Sequence, residues 1–155
     1  MPVDLYEKRW MTLVAAVLAV FFLAVLGSVF GAGIQVPGVY GQVNPQALAS
    51  SPPFDRPGVR ELGPGRYEAS LVAFIWAYTP NEIRVPAGST VTFNLTSRDV
   101  VHGFRIVGTP VNTMVFPGQL AKASYTFREP GTYLFVCHEY CGIGHQNMFG
   151  RIIVE

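Results

Sequence analysis

The sequence predicts an all-β domain, a Greek-key β-sandwich or barrel, preceded by one N-terminal transmembrane helix. Three observations carry this reading. An uncharged apolar run extends from Trp10 to Val36. From Arg66 onward, short stretches alternate apolar and polar residues, the period of a half-buried strand. Turn signals separate these stretches so closely that no helical crossover fits between them.

The totals agree. A chain of 155 residues holds one ordinary domain and a short appendage. Half of it is apolar and only 14% is charged, which directs attention to a membrane segment. The formal net charge of +1 gives no electrostatic footprint for nucleic acid. The two cysteines, Cys137 and Cys141, are too few for a disulfide framework.

The first element is the helix. Met11 to Ile34 would extend roughly 36 Å as an α-helix, enough to cross a hydrocarbon core of about 30 Å. A cleaved signal peptide is the rival, but its apolar region is about 7–15 residues, shorter than this run. Lys8 and Arg9 precede the helix, and the next charges, Asp55 and Arg56, lie far downstream. Positive charge marks the N-terminal end as cytoplasmic and places the remainder outside. Trp10 and Tyr6 suit the membrane interface as aromatic anchors. Residues 1–35 are thus expected to form the N-terminal segment and span.

Residues 36–65 are rich in proline and glycine and hold no sustained period, so they read as an extended tether over a surface. The domain proper is expected over 66–155. There Val91, Phe93 and Leu95 alternate with Thr90, Thr92, Asn94 and Thr96. Ala123, Tyr125 and Phe127 alternate with Lys122, Ser124 and Thr126, and Tyr133, Phe135 and Cys137 with Leu134 and Val136. Pro80-Asn81, Pro86-Ala87-Gly88, Pro117-Gly118 and Pro130-Gly131 mark turns. About seven or eight short strands result, with a core of inward-facing apolar residues.

The chemistry concentrates between Cys137 and Met148. A strand from Thr132 to Cys137 delivers the first thiol. A loop with Gly142 and Gly144 then presents Cys141, His145 and Met148, and a strand from Phe149 to Val154 leaves. His102 supplies a second imidazole from an earlier strand. Thiolate, imidazole and thioether together favour copper. One Cys, two His and an axial Met make a mononuclear blue-copper site, and this chain has that set plus a second Cys. Two thiolates can bridge two copper ions, leaving each ion one imidazole. Met148 sulfur and a backbone carbonyl, such as that of Glu139, would supply one weak ligand each. A pair sharing one electron changes its bonds little on reduction, which favours fast transfer.

Three other readings of the same residues stay open here. A Cys137–Cys141 disulfide is compatible with an oxidising face, but leaves His102, His145 and Met148 without a task. A structural zinc site would use two Cys and two His and leave Met148 idle. A mononuclear copper site would leave one Cys spare. His138 should point away from its neighbour Cys137 and serve as a surface or hydrogen-bonding group. Met114 reads as a gap-filling core or interface residue.

The pattern His102 … Cys137-x-Glu139-x-Cys141-x-x-x-His145-x-x-Met148 resembles the copper A site of subunit II of cytochrome c oxidase. Asp99-Val100-Val101-His102-Gly103-Phe104 and Gly144-His145-Gln146-Asn147-Met148-Phe149-Gly150 extend the likeness. A single membrane helix and Tyr6-Glu7-Lys8-x-Trp10 make the chain similar to the B-type heme-copper oxidases of thermophilic prokaryotes. The resemblance implies a cupredoxin-like fold and a binuclear copper centre. His102 and His145 would be terminal imidazoles, Cys137 and Cys141 bridging thiolates, Met148 the axial thioether, and Glu139 a ligand through its backbone oxygen. B-type members commonly carry Gln at that position. The Glu139 here is the residue of the mitochondrial-like group, where its side chain can also touch magnesium at the subunit I interface. Glu7 resembles the carboxylate near the cytoplasmic mouth of the B-type proton channel; as an acid in the first helical turn it also complements the helix dipole.

The resemblance further implies partners. Cytochrome c or a small blue-copper protein would deliver electrons outside the prokaryotic cell membrane. Subunit I, with its heme and copper, would receive them, reduce oxygen and pump protons, and a small additional membrane subunit could accompany both. This chain would itself break no bonds. Phe74, Trp76 and Tyr78 occupy alternate positions of one expected strand, in the region where the family places its electron-entry aromatics; their other reading is sandwich core. Setting aside Asp4, Glu7, Lys8 and Arg9 from the 11 basic and 10 acidic residues leaves nine and eight outside. That balance predicts docking that depends weakly on salt. The electron-entry subunit of a copper A nitric oxide reductase and a membrane-tethered copper carrier are the other functions compatible with the sequence.

Overall fold

The computed structural model describes residues 4–31, 38 and 40–155. The boundary expected between residues 35 and 36 lies outside them. Helix α1, Leu5–Gly31, has 27 residues, none of them buried, and from Trp10 onward it carries no charged side chain. A helix this apolar on every side needs a lipid solvent rather than one core-facing stripe. The Asp4 carboxylate accepts the Tyr6 N–H at 2.8 Å and caps the first turn. Thr12 and Ser28 return their hydroxyls to the carbonyls of Lys8 and Ala24, so neither enters hydrocarbon unpaired.

The remainder forms a second compact unit of two five-stranded sheets. One sheet contains β1 (Gly58–Gly63), β2 (Arg66–Phe74), β3 (Ala77–Thr79), β5 (Thr90–Ser97) and β8 (Ala121–Thr126). The other runs β4 (Glu82–Val85), β10 (Phe149–Val154), β9 (Gly131–Val136), β6 (His102–Ile106) and β7 (Asn112–Val115). The β2–β5 and β4–β10 pairs are parallel; the remaining pairs are antiparallel. The expected all-β architecture is what forms, with a few more strands than the turn spacing suggested.

The alternation read in β5 and β8 gives the core directly. Val91, Phe93 and Leu95 are buried beside Ala121, Ala123 and Phe127. Between the sheets, Phe104 lies 5.2 Å from Phe135, 5.4 Å from Phe93 and 6.0 Å from Tyr78, ring centre to ring centre. Each such ring removes a large apolar area from water, and edge-to-face contacts such as Tyr78 on Phe104 suit the ring quadrupoles.

The proline-rich stretch is more structured than a tether. Residues 58–63 form edge strand β1, paired with β2 from Gly58↔Ser70 to Gly63↔Arg66. Upstream, Asn44 caps a 3₁₀ turn, Pro45–Ser50, and Leu48 and Phe54 bury themselves against Val72. Val72 points away from the main core because β2 alternates it with Leu71 and Ala73. The segment therefore roofs the outer face of one sheet. Its pattern was hidden because two anchors, Leu48 and Phe54, are too far apart to set a period.

Candidate metal centre

The expected ligands come from strand ends that the sheet brings together. His102 opens β6, Cys137 follows β9, and Met148 precedes β10. Since β9 is antiparallel to both β6 and β10, these three positions lie at one end of the sheet. The Cys137 N–H donates to the Met148 carbonyl at 3.1 Å, closing the base of the ligand loop. Within it, a 3₁₀ turn at His145–Asn147 follows Gly144, and the Met148 N–H donates to the His145 carbonyl.

The two sulfurs stand 3.9 Å apart. Each has its own imidazole: His102 Nδ1 is 4.0 Å from Cys137 Sγ, and His145 Nδ1 is 3.6 Å from Cys141 Sγ. Met148 Sδ is 3.7 Å from Cys141 Sγ, and the Glu139 carbonyl oxygen is 3.2 Å from Cys137 Sγ. His102, Cys137 and Cys141 alone place their ligand atoms within 4.8 Å of one another, all buried. With metal–thiolate bonds near 2.3 Å, one ion can touch both sulfurs only if they are closer than about 4.6 Å. The donor set therefore fits a soft metal held by both thiolates, and all six expected ligands converge. His138 stays outside this cluster, exposed, with Nε2 3.2 Å from the Thr113 carbonyl.

Electrostatics prepares the cluster. Burial opposes a thiolate at Cys137, but hydrogen bonding with His102 and from the Gly103 N–H overrides it and lowers the thiol to about 6. Burial, then the neighbouring Cys137 charge, pushes Cys141 up to about 11. Two thiolates so close repel, so the metal-free pair gives up its second proton reluctantly, and a bound cation relieves that repulsion. Burial would lower His102, but its contacts with Cys137 and then Asp99 raise it.

Asp99 was not singled out from the sequence. Its Oδ1 accepts from His102 Nε2 at 2.8 Å and from the Val100 N–H at 2.7 Å, and Oδ2 accepts the Ile75 N–H at 2.8 Å. Burial tends to raise Asp99, but these hydrogen bonds hold its carboxyl below the ordinary value. With Nε2–H committed to Asp99, His102 presents Nδ1 to the sulfurs. The available signal was the three-residue spacing of Asp99 and His102 in a turn.

The aromatic trio requires a correction. Phe74, Trp76 and Tyr78 do not share a strand face. β2 ends at Phe74 and β3 begins at Ala77, so Ile75 and Trp76 are a hairpin tip. The tip breaks the alternation. Phe74 is half-buried under Arg98, 4.7 Å from its ring centre. Tyr78 is 3% exposed and donates its hydroxyl to the Gly103 carbonyl; burial, then Cys137, pushes that phenol far above its ordinary range. Tyr78 is thus core, and Trp76 is the member of the trio that reaches solvent while touching the ligand loop. Glu7 sits exposed in the first turn of α1.

A thiolate–imidazole–thioether cluster at the end of a two-sheet sandwich defines a cupredoxin-like metal domain, and comparison with known proteins agrees. The family described as "Cytochrome C oxidase subunit II, periplasmic domain" matches residues 70–155. A cytochrome c oxidase subunit 2 of Thermus thermophilus is 40% identical over 154 residues, covering 97% of this chain and 92% of the relative. A chain in a cryo-EM structure of a heme-copper terminal oxidase dimer superposes with a TM-score of 0.78 at 37% identity, covering 97% of this chain and 99% of that one. The periplasmic domain of subunit II of Bradyrhizobium japonicum cytochrome oxidase shares the fold, with a TM-score of 0.54 at 21% identity, over 57% of this chain and 83% of that one. The chain belongs to the cytochrome c oxidase subunit II family, the copper-binding subunit of heme-copper oxidases.

Proposed function

We propose that this chain is the electron-entry subunit of a prokaryotic heme-copper oxidase. It would hold two copper ions through His102, Cys137, Glu139, Cys141, His145 and Met148. The observation that carries the reading is the pairing of each sulfur with its own imidazole around a 3.9 Å sulfur–sulfur separation. A mononuclear site needs one thiolate; here neither thiol is spare. When bound, the copper pair supplies a one-electron carrier. The chain's residues hold the sulfurs in place, fix the His102 tautomer through Asp99 and exclude water from the sulfurs. Rigid strand ends keep the ligands still between oxidation states, which favours fast transfer.

The N-terminus would face the cytoplasm and the metal domain the outer side, in keeping with Lys8 and Arg9 at the N-terminal end of the helix. A soluble donor, cytochrome c or a small copper protein, would dock over the ligand loop. Tyr140 and Ile143, 73% and 81% exposed, flank Cys141, and Trp76 lies against the same loop. Electrons would pass to heme in subunit I, where oxygen is reduced and protons are pumped; this chain would break no bonds itself. The Glu139 side chain could then serve magnesium at the subunit I interface, and Glu7 the mouth of a proton channel.

Copper counting with electron spin resonance on the purified chain tests the central claim. Two copper ions per chain and an electron shared over two nuclei are expected; one copper, or an electron on one nucleus, refutes it. Electron entry should slow little between low and moderate salt, because the outer residues nearly balance in charge. A steep decline would count against apolar docking.

A further inference from the structure

We propose that the hairpin tip Ile75–Trp76 is a strap that positions both halves of the metal site, with Trp76 as the positioning residue for the ligand loop. This deepens the reading of the site given above. One end of the strap is side chain. Trp76 Nε1–H donates to the Cys141 carbonyl at 3.0 Å. The indole then lies flat against the loop's two glycines. A Cβ on Gly144 would collide with Trp76 Cδ2, and one on Gly142 would meet Nε1 at 3.0 Å. Gly144 has φ −93° and ψ 6°, open to most residues, so contact with the indole is what excludes a side chain there.

The other end is backbone. The Ile75 N–H donates to Asp99 Oδ2 while Asp99 Oδ1 accepts from His102 Nε2. A continuous path therefore runs from the Cys141 carbonyl through the indole, the Trp76–Ile75 peptide and the Asp99 carboxylate to the His102 ring. It joins the loop carrying Cys141, His145 and Met148 to the strand carrying His102, which contribute opposite imidazoles. Phenylalanine at position 76 would cover the glycines but lack the donor. The hydrogen bond, rather than ring area alone, is what ties the loop.

The test uses the full chain in detergent, stripped of metal and then loaded with copper. In the metal-free chain, W76F should raise the alkylation rate of Cys141 by iodoacetamide and the amide exchange of residues 141–148 by about fivefold, the effect of one typical hydrogen bond. Cys137, held by the Gly103 N–H, should change less. G144A leaves Trp76 chemically intact but displaces the indole, so it should reproduce the loosening. Because both substitutions break one contact, W76F/G144A should loosen the loop no more than the stronger single variant. At full copper occupancy W76F should shift the thiolate-to-copper absorption bands while its melting temperature stays near the parent's. Parental alkylation and exchange in both single variants would overturn the proposal. So would additive loosening in the double variant, or equal acceleration at both cysteines with a falling melting temperature. If W76F fails to fold, G144A decides through the same readouts. The metal-free measurements do not depend on which metal the site takes, so failure of the copper reading would leave them standing.

Discussion

Replacing Asp99 with alanine should destabilise the metal-free domain by about 3 kcal/mol. The carboxylate accepts three N–H donors, from His102, Ile75 and Val100. They are unequal. His102 is fully buried and its Nε2–H would lose a charge-assisted hydrogen bond, at about 2 kcal/mol. Ile75 and Val100 are 48% and 43% exposed, so their amides can be rehydrated, at about 0.5 kcal/mol each. For a unit of this size that sum lowers the melting temperature by about 10 °C. D99N keeps a neutral acceptor for the His102 ring and should lose about half as much. Copper affinity should fall about 10- to 100-fold in D99A, the usual range when the group orienting a ligating histidine is removed. Near-ultraviolet circular dichroism of the full chain in detergent follows unfolding, and competition with a copper chelator follows affinity. A D99A variant that melts within a degree or two of the parent and holds copper as tightly would show that His102 is fixed by its packing alone.

Cys141→Ser should abolish the shared-electron signal and leave a mononuclear or empty site, while the far-ultraviolet spectrum of the sandwich is kept; persistence of a delocalised pair would refute bridging. His102→Ala should cost more folding stability than His145→Ala, because His102 is fully buried and His145 only partly so, although each should lose one imidazole from the pair. Thermal melts of the two metal-free variants compare them. Phe104→Ala removes a ring that packs on Phe93, Phe135 and Tyr78, and should cost about 3–5 kcal/mol by denaturant unfolding.

What the sequence disclosed, and what it hid, follow from the range over which each signal acts. The helix is legible because lipid imposes a constraint on every residue of a long run, and α1 satisfies it from Trp10 to Gly31. β5, β8 and β9 are legible because a buried face repeats every second residue. The ligands are legible because soft-metal chemistry restricts residue type, and a short loop restricts spacing. Strand β1 escaped because it is an edge strand with three consecutive exposed residues, Arg60 to Leu62, and so carries no inward period. The Phe74–Tyr78 alternation misled because a two-residue hairpin tip mimics the period of a strand while reversing the chain. Asp99 and the Trp76 bond escaped for a deeper reason. Many side chains can donate to or accept from a backbone group, so a supporting hydrogen bond leaves little mark on composition or spacing. Trp76 reaches Cys141 across 65 residues of sequence, and only the folded sheet sets that distance. The features that select the metal are therefore written locally, whereas those that hold its ligands still are written in tertiary contacts. Substitutions at Asp99 or Trp76 should accordingly alter how firmly the site is held without altering which metal it prefers, whereas substitutions at Cys141 should change which metal the site takes and how many ions it holds.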